Sequence, residues 1–213
     1  MRLDHLSYAA SPDGLASTIQ WMGRKLGTGF TDGGIHPRFG TRNFVAPLAN
    51  GSYIEVVEAL DHPAAETAAF GRAVKSRTED GGGWLAWVVA VDEIAKVEAR
   101  LGRAAHDGHR VRPDGFDLRW KQIGLTEFSY DPQLPYFIEW EGDAAHHPSA
   151  GGSSVTLTDL EIAGDEKTVD DYLDSRSAQP LDGITVEWSA PGEDGSGLVA
   201  VTFSTPNGAV RIY

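Results

Sequence analysis

The chain has 213 residues, with 18 Lys and Arg against 31 Asp and Glu, a formal net charge of −13 and no cysteine. That charge excludes a reader of phosphate backbones, whose affinity rests on Lys and Arg, and the missing cysteines exclude disulfides, thiolate metal sites and thiol nucleophiles. Any metal must be held by His, Asp, Glu or water, and 41% apolar against 23% charged residues is the balance of a globular chain with a core to bury.

The first residues, MRLDHLSYAA, lack the long apolar stretch of a signal peptide. No apolar run approaches the ~18 residues that span a bilayer. A cytoplasmic protein with no membrane and no nucleic-acid partner is expected.

Residues 2–10 read as a strand in which Leu3, His5, Ser7 and Ala9 alternate with Asp4, Leu6, Tyr8 and Ala10. Ser11-Pro12-Asp13 predicts a helix start with Ser11 as cap. Leu15, Ile19, Met22 and Leu26 recur at helical spacing up to Gly27, which can close the helix. Residues 28–37 are glycine-rich and read as a loop.

Asn50-Gly51 between two β-prone runs predicts a tight hairpin of the type that needs positive φ at both central residues. The outgoing strand carries Glu55 inside the apolar run Tyr53-Ile54-Glu55-Val56-Val57. A carboxylate there either faces water from an edge strand or points into a cup, where it awaits a metal ion or an acid–base task. Residues 63–77 read as a second helix.

The same order then recurs. Residues 83–91 form an apolar strand, and Asp92 can cap a helix carrying Ile94, Val97 and Leu101. Shorter strands follow, ending in Tyr136-Phe137-Ile138-Glu139-Trp140, where Glu139 again lies in an apolar run. Residues 144–154, with His146-His147, have the composition of a solvent-exposed linker. Beyond it, strand, short helix and three strands appear a third time, with Asp165 at the helix start and Asn207-Gly208 in the last turn. The expected organisation is paired modules over 1–143, a linker over 144–154 and a third βαβββ-like module over 155–213. The third module is a candidate for completing a homodimer.

A strand–helix–three-strand unit leaves one sheet face uncovered, and pairing two such units wraps a shared concave surface. His5 on the opening strand and Glu55 on the closing strand of the first unit could meet there and offer a nitrogen and an oxygen to a divalent ion.

On four segments the chain resembles the vicinal oxygen chelate superfamily, and within it the glyoxalase-like domain group. They are Asp4-His5-Leu6, GGIHPRFGTRN (33–43), Tyr53-Ile54-Glu55 and LPYFIEWEGDAAHHPS (134–149). The resemblance implies an α+β fold of repeated βαβββ modules forming a cupped mixed β-sheet. It also implies a divalent ion chelating vicinal oxygens of a small substrate, and no nucleotide cofactor.

Carried over, His5 and Glu55 fall on metal-ligand positions of the first module and Glu139 on the closing position of the second. The opening strand of the second module offers Ala86 or Trp87 where a nitrogen or oxygen ligand belongs, so the set is incomplete. Glu139 and His36 are the candidate proton carriers. Arg38, Arg42, Asn43, Trp87 and Trp140 are the candidate substrate contacts. Two functions follow: a metal-assisted lyase or isomerase acting on an oxygen-rich or carbonyl compound, or a metal-free protein that binds or sequesters a small molecule. GxSxG, Walker, HExxH, GxGxxG and EF-hand patterns are all absent.

Overall fold

The computed structural model describes residues 1–174, 180–193 and 195–213. The first module comprises β1 (Arg2–Ala9), α1 (Leu15–Leu26), β2 (Thr31–His36), β3 (Thr41–Pro47) and β4 (Tyr53–Ala59). Two short helices, α2 (Pro63–Thr67) and α3 (Ala69–Glu79), lead to the second module. That module comprises β5 (Gly83–Ala90), α4 (Ile94–Leu101), β6 (His106–Val111), β7 (Asp117–Ile123), α5 (Leu125–Tyr130) and β8 (Tyr136–Trp140).

In each module the opening strand pairs in parallel with the closing one, β1 with β4 and β5 with β8. The modules join along the antiparallel β1–β5 ladder, and the Ile35–Val111 pair between β2 and β6 closes the circle. The result is a barrel in the order β1-β4-β3-β2-β6-β7-β8-β5, the paired-module α+β fold that the sequence order predicts.

Inward positions line a cup. Outward positions of β1 and β5, among them Leu6, Tyr8, Trp84 and Trp87, join Met22, Leu26, Val97, Leu160 and Phe203 in the main core. This core continues into a second sheet built from β9 (Thr156–Ala163), α6 (Glu166–Leu173), β10 (Thr185–Ser189), β11 (Gly197–Thr205) and β12 (Gly208–Ile212).

The sheet order of that last unit is β10-β9-β11-β12, with the opening strand β9 parallel to the next strand, β10. It has the expected run of elements but not the first-with-last pairing of the other two modules. It packs against the barrel wall, where the indole N–H of Trp84 donates to the carbonyl of Ile212.

Local departures have local causes. α1 starts at Leu15 after Gly14 with no side-chain cap, and the Ser11 hydroxyl meets Thr18 Oγ1 instead of the first helical amides. Gly27 ends the helix in the left-handed region, as expected. The turn at Asn50-Gly51 spans 48–52 with positive φ at Gly51 alone, so it is not the two-residue hairpin predicted. The helix expected over 63–77 breaks at Ala68, whose ψ of 137° is extended.

The segment read as a glycine-rich loop contains β2. Its two glycines have different reasons: Gly34 has a φ of +105°, which side chains rarely adopt, whereas a Cβ on Gly33 would collide with the Arg110 guanidinium and the Asn43 amide oxygen. Gly33→Ala is therefore expected to lower stability by about 1–3 kcal/mol through overpacking. Chemical denaturation measures this, and an unchanged midpoint would contradict it.

Candidate functional site

The site begins with an irregularity in β1. The β1–β5 register slips between Leu3 and His5, so Asp4 is the extra residue of a bulge. Bulges re-aim side chains, and here two consecutive residues, Asp4 and His5, turn toward the same hydrogen-bond group although strand alternation would separate them. Asp4 is wholly buried. Its carboxylate meets His5 Nδ1 at 2.8 Å, Trp140 Nε1 at 3.1 and 3.2 Å and His147 Nε2 at 3.1 Å.

Burial alone would raise the Asp4 pKa, but the hydrogen bonds from His147 and His5 outweigh it and hold the carboxyl far below its ordinary range. An ionised carboxylate only accepts, so His5 donates from Nδ1, and its other ring nitrogen, Nε2, faces the cavity. The phenol of Tyr136 approaches that Nε2 at 3.3 Å, Glu55 Oε2 lies 3.9 Å away, and the Tyr53 ring stacks on the imidazole at 4.6 Å. Burial pushes the Tyr136 and Tyr53 hydroxyls well above their ordinary pKa, so both stay protonated.

Glu55 is likewise buried. Ser7 Oγ donates to Oε2 at 2.8 Å and Asn43 Nδ2 to Oε1 at 2.5 Å. Burial raises its pKa, but the attraction of the neighbouring His5 and His36 rings with those two bonds brings it below the ordinary value, so Glu55 is a fixed carboxylate. Asn43 passes the chain on, accepting from Arg110 Nη1 at 2.7 Å. His36 lines the same cavity against Thr41 Oγ1 at 3.0 Å, and burial lowers its pKa to about 4, so it is neutral at physiological pH. The walls are Phe39, Phe70, Trp120, Trp140 and Ile138. Gln122 accepts from the Trp120 indole at 2.7 Å, and its amide N–H groups make no bond among the described residues. The cavity measures about 30 Å³, room for roughly two waters or the reacting end of a ligand.

Of the residues singled out in the sequence, His5, Glu55, His36, Asn43 and Trp140 meet at this cavity. The rest are elsewhere. Arg38 is exposed and donates to the carbonyl of Asp107 at 2.7 Å. Arg42, on the outer face of β3, pairs with Asp32 at 2.7 Å. Trp87 is fully buried in the outer core and donates to the Gln133 carbonyl.

Glu139 also faces outward, and its carboxylate accepts from the Ile94 amide at 2.6 Å to cap α4, the task predicted for Asp92. The error is one of register. His5 pairs with Tyr53 in the first module and Val88 with Tyr136 in the second, so Ile138, not Glu139, is the counterpart of Glu55. Glu139→Ala should cost about 1 kcal/mol, as lost helix caps do, and leave ligand binding at the cup unchanged. A binding defect in a folded variant would contradict this placement.

The same register tests the expected metal. The second module offers Val88 and Ile138 where the first has His5 and Glu55, and no group of three or more His, Asp or Glu suited to a metal occurs among the described residues. Both Glu55 oxygens are already taken by side chains of the chain. These residues do not fit a divalent centre held by both modules.

Sequence reading missed Asp4, Ser7, Arg110, Tyr136 and His147. His147 lies in the segment read as an exposed linker, yet its side chain is only 9% exposed, with its ring edge against Trp140 and its Nδ1 accepting from Ser149. The Tyr-x-Glu and Tyr-x-Ile spacing around Tyr53 and Tyr136 carried the register, had it been counted from the tyrosines.

A family model of the glyoxalase-like domain matches residues 3–174. The chain belongs to the glyoxalase-like domain family. No curated protein matches it in sequence. Among solved structures, it is similar to a hypothetical protein from Staphylococcus aureus at 14% identity and TM-score 0.62, over 99% of this chain and 85% of that one. Weaker likenesses include methylmalonyl-CoA epimerases. That of Mycobacterium tuberculosis has 16% identity and TM-score 0.45, over 67% of this chain and 88% of that one. A variant of the Streptomyces coelicolor enzyme has 15% identity and TM-score 0.42, over 66% and 96%. Identities this low speak for the fold alone. No helix among the described residues is long and apolar enough to cross a membrane.

Proposed function

We propose that this glyoxalase-like protein binds a small carbonyl compound in its cup and moves a proton at the carbon beside the carbonyl, an isomerase-type reaction. The observation that carries the reading is the buried Asp4–His5 pair with Nε2 turned to the cavity. Asp4 fixes the tautomer, so Nε2 can accept the proton. As the C–H bond breaks, its electron pair moves into the carbonyl and leaves an enolate oxygen. The Gln122 amide and the Tyr136 hydroxyl are the donors within the cup suited to hold it. Glu55 and Asp4 flank the imidazolium that forms and offset its charge. Return of the proton to the other face of the same carbon, as the electron pair moves back from the enolate oxygen, completes a redox-neutral isomerisation.

A divalent ion chelated by both modules is not part of this reading, because Val88 and Ile138 supply no ligand. The alternative is a protein that binds without turnover, and the aromatic walls Trp120, Trp140, Phe39 and Phe70 favour it. Chelator-treated protein incubated with hydroxyacetone and related neutral hydroxy ketones in D2O separates the two. The proposal expects catalysed exchange of the proton beside the carbonyl, seen by NMR. Saturable binding with no exchange would leave the sequestering reading in its place.

A further inference from the structure

A larger chamber lies beside the cup, and the chemistry above does not use it. It measures about 610 Å³, within the range of small-ligand sites, and is bordered by Gly33, Arg112, His146, His147 and the carboxylates of Asp32 and Asp114, each paired with an arginine. Arg110, on β6, stands in the wall between the two spaces and lines both.

Arg110 is unusual for a buried cation. The residue is 2% exposed, yet its one side-chain bond among the described residues runs to the neutral amide of Asn43. Burial lowers its pKa, and the nearby carboxylates act on it only from a distance. Asp32 is paired with Arg42, and Glu55 is held by Ser7 and Asn43. A guanidinium has five donors in a planar fork matched to carboxylate or phosphate oxygens. Burying one without an anion is costly.

The other basic groups of the chamber are engaged. Arg112 pairs with Asp114, His147 donates to Asp4, and the His146 ring stacks on Phe116 at 3.9 Å. In a chain of net charge −13, an anionic ligand needs a dedicated cation. Gly33 keeps space for this one, since any side chain there would strike it.

We propose that Arg110 anchors an anionic group of the ligand, a carboxylate or a phosphate, from the larger chamber while the carbonyl end enters the cup. The inference rests on the carbonyl-ligand reading and narrows it to anionic carbonyl compounds. Asn43 aims the guanidinium, and Gly33 leaves it room.

Malonate, inorganic phosphate and neutral dimethyl malonate serve as probes, with binding followed through the fluorescence of Trp120 and Trp140 and through thermal stabilisation. At least one anion is expected to bind wild-type protein at low millimolar concentration, and the ester is not. Which anion binds tells carboxylate from phosphate. Arg110→Gln should weaken binding by about ten-fold or more, through loss of a charge-assisted pair. Arg110→Lys should retain part of it, and Arg112→Gln should change it little.

Failure of both anions to bind wild-type protein would overturn the inference, whatever the variants do. So would unchanged binding in a folded Arg110→Gln protein. If Arg110→Gln does not fold, the wild-type titrations and Arg110→Lys decide: binding to the ester as tight as to the anions, or full affinity in the lysine variant, overturns it. The exchange assay with neutral hydroxy ketones stays independent, because it reads His5. Exchange without anion binding would sink this inference alone, and anion binding without exchange would sink the proton-transfer reading alone.

Discussion

His5→Gln is expected to abolish proton exchange on a small hydroxy ketone, lowering the rate by about 10²–10⁴-fold, the usual range for a positioned acid–base group. Glutamine fills most of the imidazole's place and can still hydrogen-bond to Asp4, so the cup should keep its shape. Ligand affinity should change far less than the rate. Asp4→Asn gives a second reading of the same claim. An asparagine can present its amide N–H to His5 Nδ1 and favour the opposite tautomer, with the proton on Nε2. The rate should then fall while His5 is still present. A folded His5→Gln protein that exchanges protons at the wild-type rate would remove His5 from the chemistry.

The second large effect is on stability. Asp4 is wholly buried and gathers His5, Trp140 and His147 from three parts of the chain. Asp4→Ala leaves those donors without an acceptor, and breaking a buried charged network at one partner costs about 3–5 kcal/mol. For a chain of this size each kcal/mol is worth roughly 2–4 °C in Tm, so calorimetry should register a fall of roughly 6–20 °C. Because the folded pKa of Asp4 is depressed, its contribution is complete above the ordinary carboxylate value and is lost as pH falls below it.

His36 adds to acid sensitivity at higher pH. Its folded pKa is lowered from 6.5 to about 4, so the unfolded chain binds the proton first and stability declines as pH drops through that interval. His36→Phe should flatten the decline between pH 6.5 and 4. An equally steep profile in the variant would contradict the assignment.

The sequence carried the paired modules because their apolar strands and helices have clear periods, and His5, Glu55, Asn43 and His36 because they punctuate those strands. What it hid has physical causes. Asp4 was placed on the wrong face because alternation holds only in a regular ladder, and the bulge that breaks it leaves no local signal. Glu139 was paired with Glu55 by residue type, whereas the parallel pairings tie Tyr136 to the position of Tyr53 and turn Glu139 outward. β2 passed for a loop because its glycines weaken strand propensity, and their reasons are non-local: Gly33 makes room for Arg110, and Gly34 turns the backbone beside Val111 at a φ of +105°. β6 is short and polar, which concealed Arg110 itself. His147 looked solvated because nothing local tells a short covering segment from a linker, and its place is set by distant partners, the Asp4 carboxylate and the Trp140 ring. The last module kept the element order but not the strand order, which element order does not determine.

The central claim is that His5 presents an unprotonated Nε2 to a cup that does not assemble a divalent metal centre. ¹⁵N NMR of histidine-labelled, chelator-treated protein tests it directly. The account predicts a proton on Nδ1 and none on Nε2 of His5 at neutral pH, an Nε2 signal that moves when a carbonyl ligand is added, and no response to one equivalent of zinc. Stoichiometric zinc binding that shifts Nε2 and is lost in Glu55→Gln would contradict it.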